Sequence, residues 1–300
     1  MASFIVFNVQ LLPADTAKTK EVGISGYKKL LDGLNRSTVD AYKRKKIDAI
    51  SYPLLNEAYM APRSTITTDD HAYGEWLKYN LSDDIEDLYS NTKLFTASKG
   101  TFPIANRHSF DYIFDYKTHR LAIQEVSGKL PSPDVCISIF ESIFGKIANE
   151  LFPNHVLKIN LISDPTKLEQ IFNTATGYKS VKTTLTFPNG HRLGNQLQEL
   201  KDNNVHHLKV EASAGSKDTA MPTLPAFLKQ LVEASVEYGQ TSLAYITEAG
   251  GKIMRYASSS YPLKIKLRQK KDEQPAEMRR RVVVEIRRVG GADIKDNINV

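Results

Sequence analysis

The chain has 300 residues with 41% hydrophobic and 25% charged content, which suits a folded protein with a large core and excludes a mostly disordered one. Its net charge is +6, and no apolar run approaches the roughly 20 residues that a membrane-spanning helix needs. The single cysteine, Cys136, excludes an internal disulfide and fits a reducing compartment.

The opening "MASFIVFNVQLLPAD" has no basic flank before its apolar run and no small-residue cleavage site, so it reads as a first strand and not as a signal peptide. The expected location is cytoplasmic. A short helix around "GYKKLLDGLN" comes next, and "STVDAYKRKKIDAIS" carries a basic cluster at Lys43, Arg44, Lys45 and Lys46. "TTDDHAYGEW" reads as a loop leading into a helix with acidic first residues, and Ser82 is placed to cap "DDIEDLYS". In "SFDYIFDYKTHRLAIQEV" the residues Phe110, Tyr112 and Phe114 alternate with Asp111, Ile113 and Asp115, and a polar turn precedes Leu121 and Ile123; this is a hairpin pattern.

A helix is predicted from Pro133, capped by Ser132, with Val135, Ile139, Ile143, Phe144 and Ile147 at helical spacing and an end near Pro153. "HVLKINLIS", "YKSVKTTLTFP" and "HHLKVEASA" read as strands, separated by a helix from Asp164-Pro165 through "TKLEQIFNTA" and a second helix in "RLGNQLQELKD". After an exposed "GSKDTAMPT", the helix "LPAFLKQLVEASVEYG" leads to three strand-like segments, "TSLAYITEAGG", "KIMRYASSSYPLKIKLRQ" and "RRRVVVEIRRV". The expected class is α/β in its mixed α+β form: a mixed sheet with packed helices, closed by a C-terminal antiparallel basic β-ribbon. Residues 1–214 form an α/β domain, and residues 215–300 add a helix and basic strands to it or beside it.

The charge is unevenly placed. Residues 252–288 hold 12 Lys/Arg against 4 Asp/Glu, while the rest of the chain holds 28 against 30. A concentrated positive field attracts phosphate backbones or acidic surfaces. In strand geometry Leu263, Ile265 and Leu267 take one face while Lys264, Lys266 and Arg268 take the other, and Val282, Val284 and Ile286 oppose Arg279, Arg281 and Arg287. Paired across "KKDEQPAE", the two segments would form a cationic surface, with Lys270, Lys271, Arg280 and Arg288 beside it and Lys43, Arg44, Lys45 and Lys46 as a second contact. Like charges crowded across strands are costly unless an anion neutralises them. The expected partner is nucleic acid, with DNA favoured, and about six phosphate contacts would weaken binding roughly a thousandfold between 50 and 200 mM salt. Tyr256 and Tyr261 flank the ribbon and could stack on unpaired bases. The plain alternative is the wet side of a sheet, with Lys at an edge discouraging aggregation.

Catalytic patterns are sparser, and neither a metal nor a cofactor is expected. Asp111, Asp115, Glu125 and Lys129 suggest a metal-dependent nuclease, but Lys129 lies four residues after Glu125 where that chemistry places it two after. Asp69, Asp70, His71 and Glu75 could serve a metal if a helix brought His71 and Glu75 together, and His206 and His207 would point to opposite faces of a strand. Cys136, in a helical pattern, reads as a buried structural thiol.

The order of "FIVFNVQLLP", "FDYIFDYKTHRLAIQE", a Pro-started helix and "VLKINLISDPTKLEQIFN", over roughly residues 1–215, resembles bacterial phage-defence proteins of about this size, and more remotely the RexA and KwaB kind of exclusion protein. The resemblance implies a bacterial, non-secreted protein that binds nucleic acid during infection, as a homo-oligomer and with an effector partner. Two other classes stay open: a metal-dependent nuclease and an oligomeric scaffold.

Overall fold

The structure is a computed structural model that describes residues 1–15, 18–82, 84–187, 199–200, 202–216, 219–248, 251–268 and 270–289. The predicted helix in "RLGNQLQELKD" falls largely outside the described residues.

The class is mixed α/β, built on two antiparallel sheets. The large one contains β1 (Ala2–Pro13), β2 (Tyr52–Pro53), β3 (Ala58–Thr67), β4 (His71–Leu81), β7 (Ile104–Asp115), β8 (Arg120–Gln124), β9 (His155–Leu161) and β14 (Lys264–Leu267), in the order β14-β1-β8-β7-β4-β3-β2 with β9 also on β1. The 12-residue β1 has partners on both edges: β8 pairs with Phe4 to Asn8 on one, while β14 and β9 share the other end to end, at residues 2–5 and 7–13. Between β4 and β7 the chain makes a separate two-stranded hairpin, β5 (Asp84–Glu86) and β6 (Lys93–Thr96).

Period-2 patterning puts Ile5, Phe7, Val9 and Leu11 of β1 on one face of the large sheet. There they meet α1 (Gly23–Lys43) and α2 (Pro133–Leu151), whose Leu30, Leu31, Leu34, Phe140 and Phe144 complete the main core around Trp76. Phe4 and Val6 face the other way, with Ile113, Ala122 and Ile265. Gly74 is required where β3 bulges past β4, because a Cβ there would lie 2.0 Å from the Ser64 carbonyl oxygen.

The second sheet, ordered β11-β10-β12-β13, consists of β10 (Gly177–Thr186), β11 (His207–Ser213), β12 (Gly239–Ile246) and β13 (Met254–Ala257). It packs against α3 (Pro165–Thr174), which Asp164 caps by accepting from the Thr166 N–H at 2.9 Å, and α4 (Ala226–Tyr238). The chain after residue 214 returns to both sheets: β12 pairs with β10 and β14 pairs with β1.

Three expectations need correction. "RRRVVVEIRRV" belongs to a helix, α5 (Pro275–Val289), so it does not pair with β14 as a basic ribbon. Pro275 starts it, and Met278, Val282, Val283, Ile286 and Val289 repeat at helical spacing against Phe4, Val6 and Ile265, while Val284, inward in the strand reading, is 61% exposed. "HAYGEWLKYNL" is strand β4 and not a helix, because its alternation puts Ala72 and Trp76 into the core. Residues after Ser82 open hairpin β5–β6 in place of a capped helix. Among the described residues no helix is long and apolar enough to cross a membrane.

Candidate nucleic-acid interface

The cations that pattern alone would gather lie on opposite faces of the large sheet. In β14, Ile265 and Leu267 face α5, so Lys264 and Lys266, opposite Ile5 and Ser3, point to the α2 side. Helix α5 covers the other side. Lys43 ends α1, again on the α2 side of the core.

Half of the predicted set is already engaged. Lys264 Nζ donates to Glu125 at 2.6 Å; burial alone would raise the Glu125 carboxyl, but Lys264 and Ser3 more than offset this and hold it below its usual range. Lys270 pairs with Glu277 at 2.8 Å, Arg281 with Glu273 at 2.5 Å and Arg44 with Asp40 at 2.8 Å. Arg281 also donates to the Arg268 carbonyl, and Lys45 donates to the Gly100 carbonyl at 3.4 Å. The Arg279 guanidinium lies 4.1 Å from the centre of the Tyr73 ring. Arg287 bridges Asp115, at 2.7 Å, and Asp70, at 2.9 Å. Arg288 touches Glu285 only at 3.9 Å and stays open to water.

These pairings fix α5 in place. Asp115 is fully buried and also accepts from the Thr118 N–H at 2.9 Å and the Thr118 hydroxyl at 2.7 Å. Arg120, its cross-strand neighbour, donates to the Ile286 carbonyl at 2.9 Å and pairs with Glu237 at the end of α4. One hairpin end therefore holds both C-terminal helices. Sequence reasoning missed this network; its only signal was an arginine in "HRLAIQ" at a position whose alternation points inward.

What stays available is the solvent-facing stripe of α5. Arg280, Val284 and Arg288 follow one another along it, with Lys271 in the turn before the helix, and Arg280 and Arg288 sit about 12 Å apart along the axis. Lys266, Lys43 and Lys46 are exposed too, but on other surfaces.

The catalytic alternatives do not assemble. Asp111 and Asp115 share the α5 face about 13 Å apart, whereas Glu125 lies on the α2 face beside Lys264, and the Lys129 carbonyl accepts from Lys78. Asp111 faces Glu75 across the strands; the sheet desolvates its carboxyl and Glu75 repels its charge, so its pKa rises, with Arg279 opposing. His71 and Glu75, four residues apart on one strand, are too far apart to share an ion, and the His71 ring bonds Asp70 at 2.6 Å. Asp69 pairs with Lys28. His206 hydrogen-bonds the Ala14 carbonyl, and His207, itself exposed, begins β11. Among the described residues no group of three or more His, Cys, Asp or Glu could hold a metal. Cys136 is buried, and desolvation pushes its thiol up to about 12, in keeping with a structural role. Tyr256 is buried with its ring stacked 5.4 Å from that of Tyr261, so only Tyr261, beside Arg255 in a cleft of about 380 Å³, can meet a base.

The chain matches the family described as Domain of unknown function (DUF4747) over residues 5–285, from β1 through most of α5, and belongs to it. No curated protein matches the sequence.

Proposed function

We propose that the chain is a cytoplasmic nucleic-acid-binding protein, with DNA the expected ligand, that acts in anti-phage defence through phosphate contacts and without catalysis. The observation that supports this reading is the stripe of Arg280 and Arg288 on a helix whose other cations are tied down, with Lys271 in the turn before it. A helix presenting exposed guanidinium groups suits a phosphate backbone, since the contacts need charge and reach but no base edge. Three cations in place of six lower the expected salt response. The log–log slope becomes about −2.7, a loss of about 40-fold between 50 and 200 mM salt.

The test is fluorescence anisotropy with labelled duplex DNA, single-stranded DNA and RNA across a salt series. Replacing Lys271, Arg280 and Arg288 together by Glu should abolish binding while leaving the far-UV circular dichroism unchanged, since all three are exposed. No binding at low salt, or binding that survives the triple reversal, removes the reading. Cut strands in parallel samples with Mg²⁺ would put a nuclease in its place.

A further inference from the structure

Hairpin β5–β6 is built unlike the rest of the molecule. Every residue of both strands is exposed, and the hairpin joins no other sheet. A lone two-stranded hairpin is marginally stable in water at best. Yet this one is apolar. Of the twenty large hydrophobic residues exposed among the described residues, eight lie within residues 81–104. Ile85 and Phe95 face each other across the strands, so they share one side, and Leu94 takes the opposite side. Leu88 and Tyr89 at the tip are 81% and 92% exposed, and Phe102 follows at the base. At roughly 200 Å² per fully exposed large side chain, Ile85, Leu88, Tyr89, Phe95 and Phe102, without Leu94 on the opposite side, present about 650 Å². This lies above the usual largest patch on a monomer and is most of what each partner of a stable complex buries.

Charge identifies the counterpart. The arm, residues 84–96, has Asp84, Glu86 and Asp87 against Lys93, a balance of −2. Lys93 is occupied by Asp84 at 3.0 Å, and Asp87 holds the turn by accepting from the Tyr89 and Ser90 N–H groups, which leaves Glu86 exposed. Residues 36–46, at the end of α1, have five Lys/Arg against Asp40, a balance of +4, and expose Val39 and Tyr42 beside Lys43 and Lys46. The two features are neighbours within one chain, since Lys45 Nζ reaches the Gly100 carbonyl at the foot of the arm. An acidic apolar patch adjoining a basic apolar one is self-complementary, and a two-fold axis between them lets each copy satisfy the other twice.

We propose that two copies of the chain pair through this arm, each hairpin β5–β6 lying on the basic C-terminal end of α1 in the other copy. The apolar area is most of one partner's share of a standard interface, and the charges meet as opposites. The proposal does not depend on the nucleic-acid reading, and it gives Lys43 and Lys46 a protein partner.

The mass of the full-length protein is measured by light scattering after gel filtration, from about 1 to 100 μM. A dimer is expected. Leu88→Glu with Phe95→Glu should raise its dissociation constant at least about a hundredfold, equivalent to losing some 2.7 kcal/mol of binding. Lys43→Glu with Lys46→Glu should raise it about tenfold, and adding Glu86→Lys should recover much of that loss. Because every substituted residue is exposed, circular dichroism should match the parent throughout. A Tyr89→Cys chain mixed with a Val39→Cys chain should form a mixed disulfide dimer, as the native Cys136 is buried. A monomer at all concentrations, a dimer indifferent to Leu88 and Phe95, or one indifferent to the Lys43 and Lys46 reversal would each overturn the proposal.

Discussion

Replacing Arg287 by Met keeps the aliphatic packing but takes the charge from a fully buried carboxylate. Asp115 would then rely on Thr118 alone, through one backbone N–H and one hydroxyl. Stranding a buried charge costs about 3–5 kcal/mol when both partners are dry. Here the guanidinium is 36% exposed and its second partner, Asp70, is 58% exposed, so water already screens part of the attraction and about 2–3 kcal/mol is expected. For a chain of this size that lowers Tm by about 4–10 °C. The assay is urea unfolding followed by the emission of Trp76, the sole tryptophan and fully buried, with far-UV circular dichroism alongside. Combining Arg287→Met with Asp115→Asn removes the stranded charge, so the double variant should be less destabilised than the sum of the single ones by at least about 1 kcal/mol. A cost below about 0.5 kcal/mol, or strict additivity in the cycle, would refute the claim that this pair anchors α5.

Other tests address separate parts of the molecule. Cys136, its thiol raised to about 12 by burial, should resist a thiol-reactive disulfide at pH 8 in the native state and react fully in denaturant. Asp70 is held down to about 2, first by its hydrogen bond with His71 and then by Arg287 against partial desolvation. Its folded pKa lies below the unfolded value of 3.8, so its contribution is present above that value and is lost as pH falls toward 2. Asp70→Asn should therefore flatten the decline in stability between pH 5 and 2, and parallel curves would count against it. Gly74→Ala must push the Ser64 carbonyl aside, and a loss of several kcal/mol with altered hydrogen exchange along β3 and β4 is expected; an unchanged Tm would contradict the close approach.

Much of the scaffold was legible because local pattern and tertiary environment agree there. The β7–β8 hairpin follows period-2 alternation from Phe110 to Ile123, and α2 follows helical spacing from Val135 to Ile147 after Pro133. The run Val282-Val283-Val284 supports either period, and the deciding fact, that Val282 and Val283 are both buried while Val284 is not, depends on what lies beneath. The candidate site was harder to read for a related reason. Several of the acids that occupy its cations come from distant stretches, Glu125 for Lys264 and Asp70 and Asp115 for Arg287, while Glu273, Glu277 and Asp40 are local. A count of charges along the chain shows the local excess of 252–288 but not which cations the fold neutralises. The exposed arm escaped notice because "DDIEDLYS" has acidic first residues that suit a helix, and alternation over strands of three and four residues is too short to detect.

The arrangement around β1 bears on the order in which the protein can be made. Strand β1 needs residues 120–124 on one edge, then 155–161 on the other, all synthesised after it, and is closed only when 264–267 arrive. Each closure spans a long stretch of chain, a topology associated with slow folding. A nascent chain stalled before residue 264 would carry the start of β1 with an open edge beside Phe4 and Val6, ready to join another strand. Of the three pairings of β1, the one made last in synthesis is thus the one that seals its start, and chaperone demand during translation should fall only once β14 has emerged.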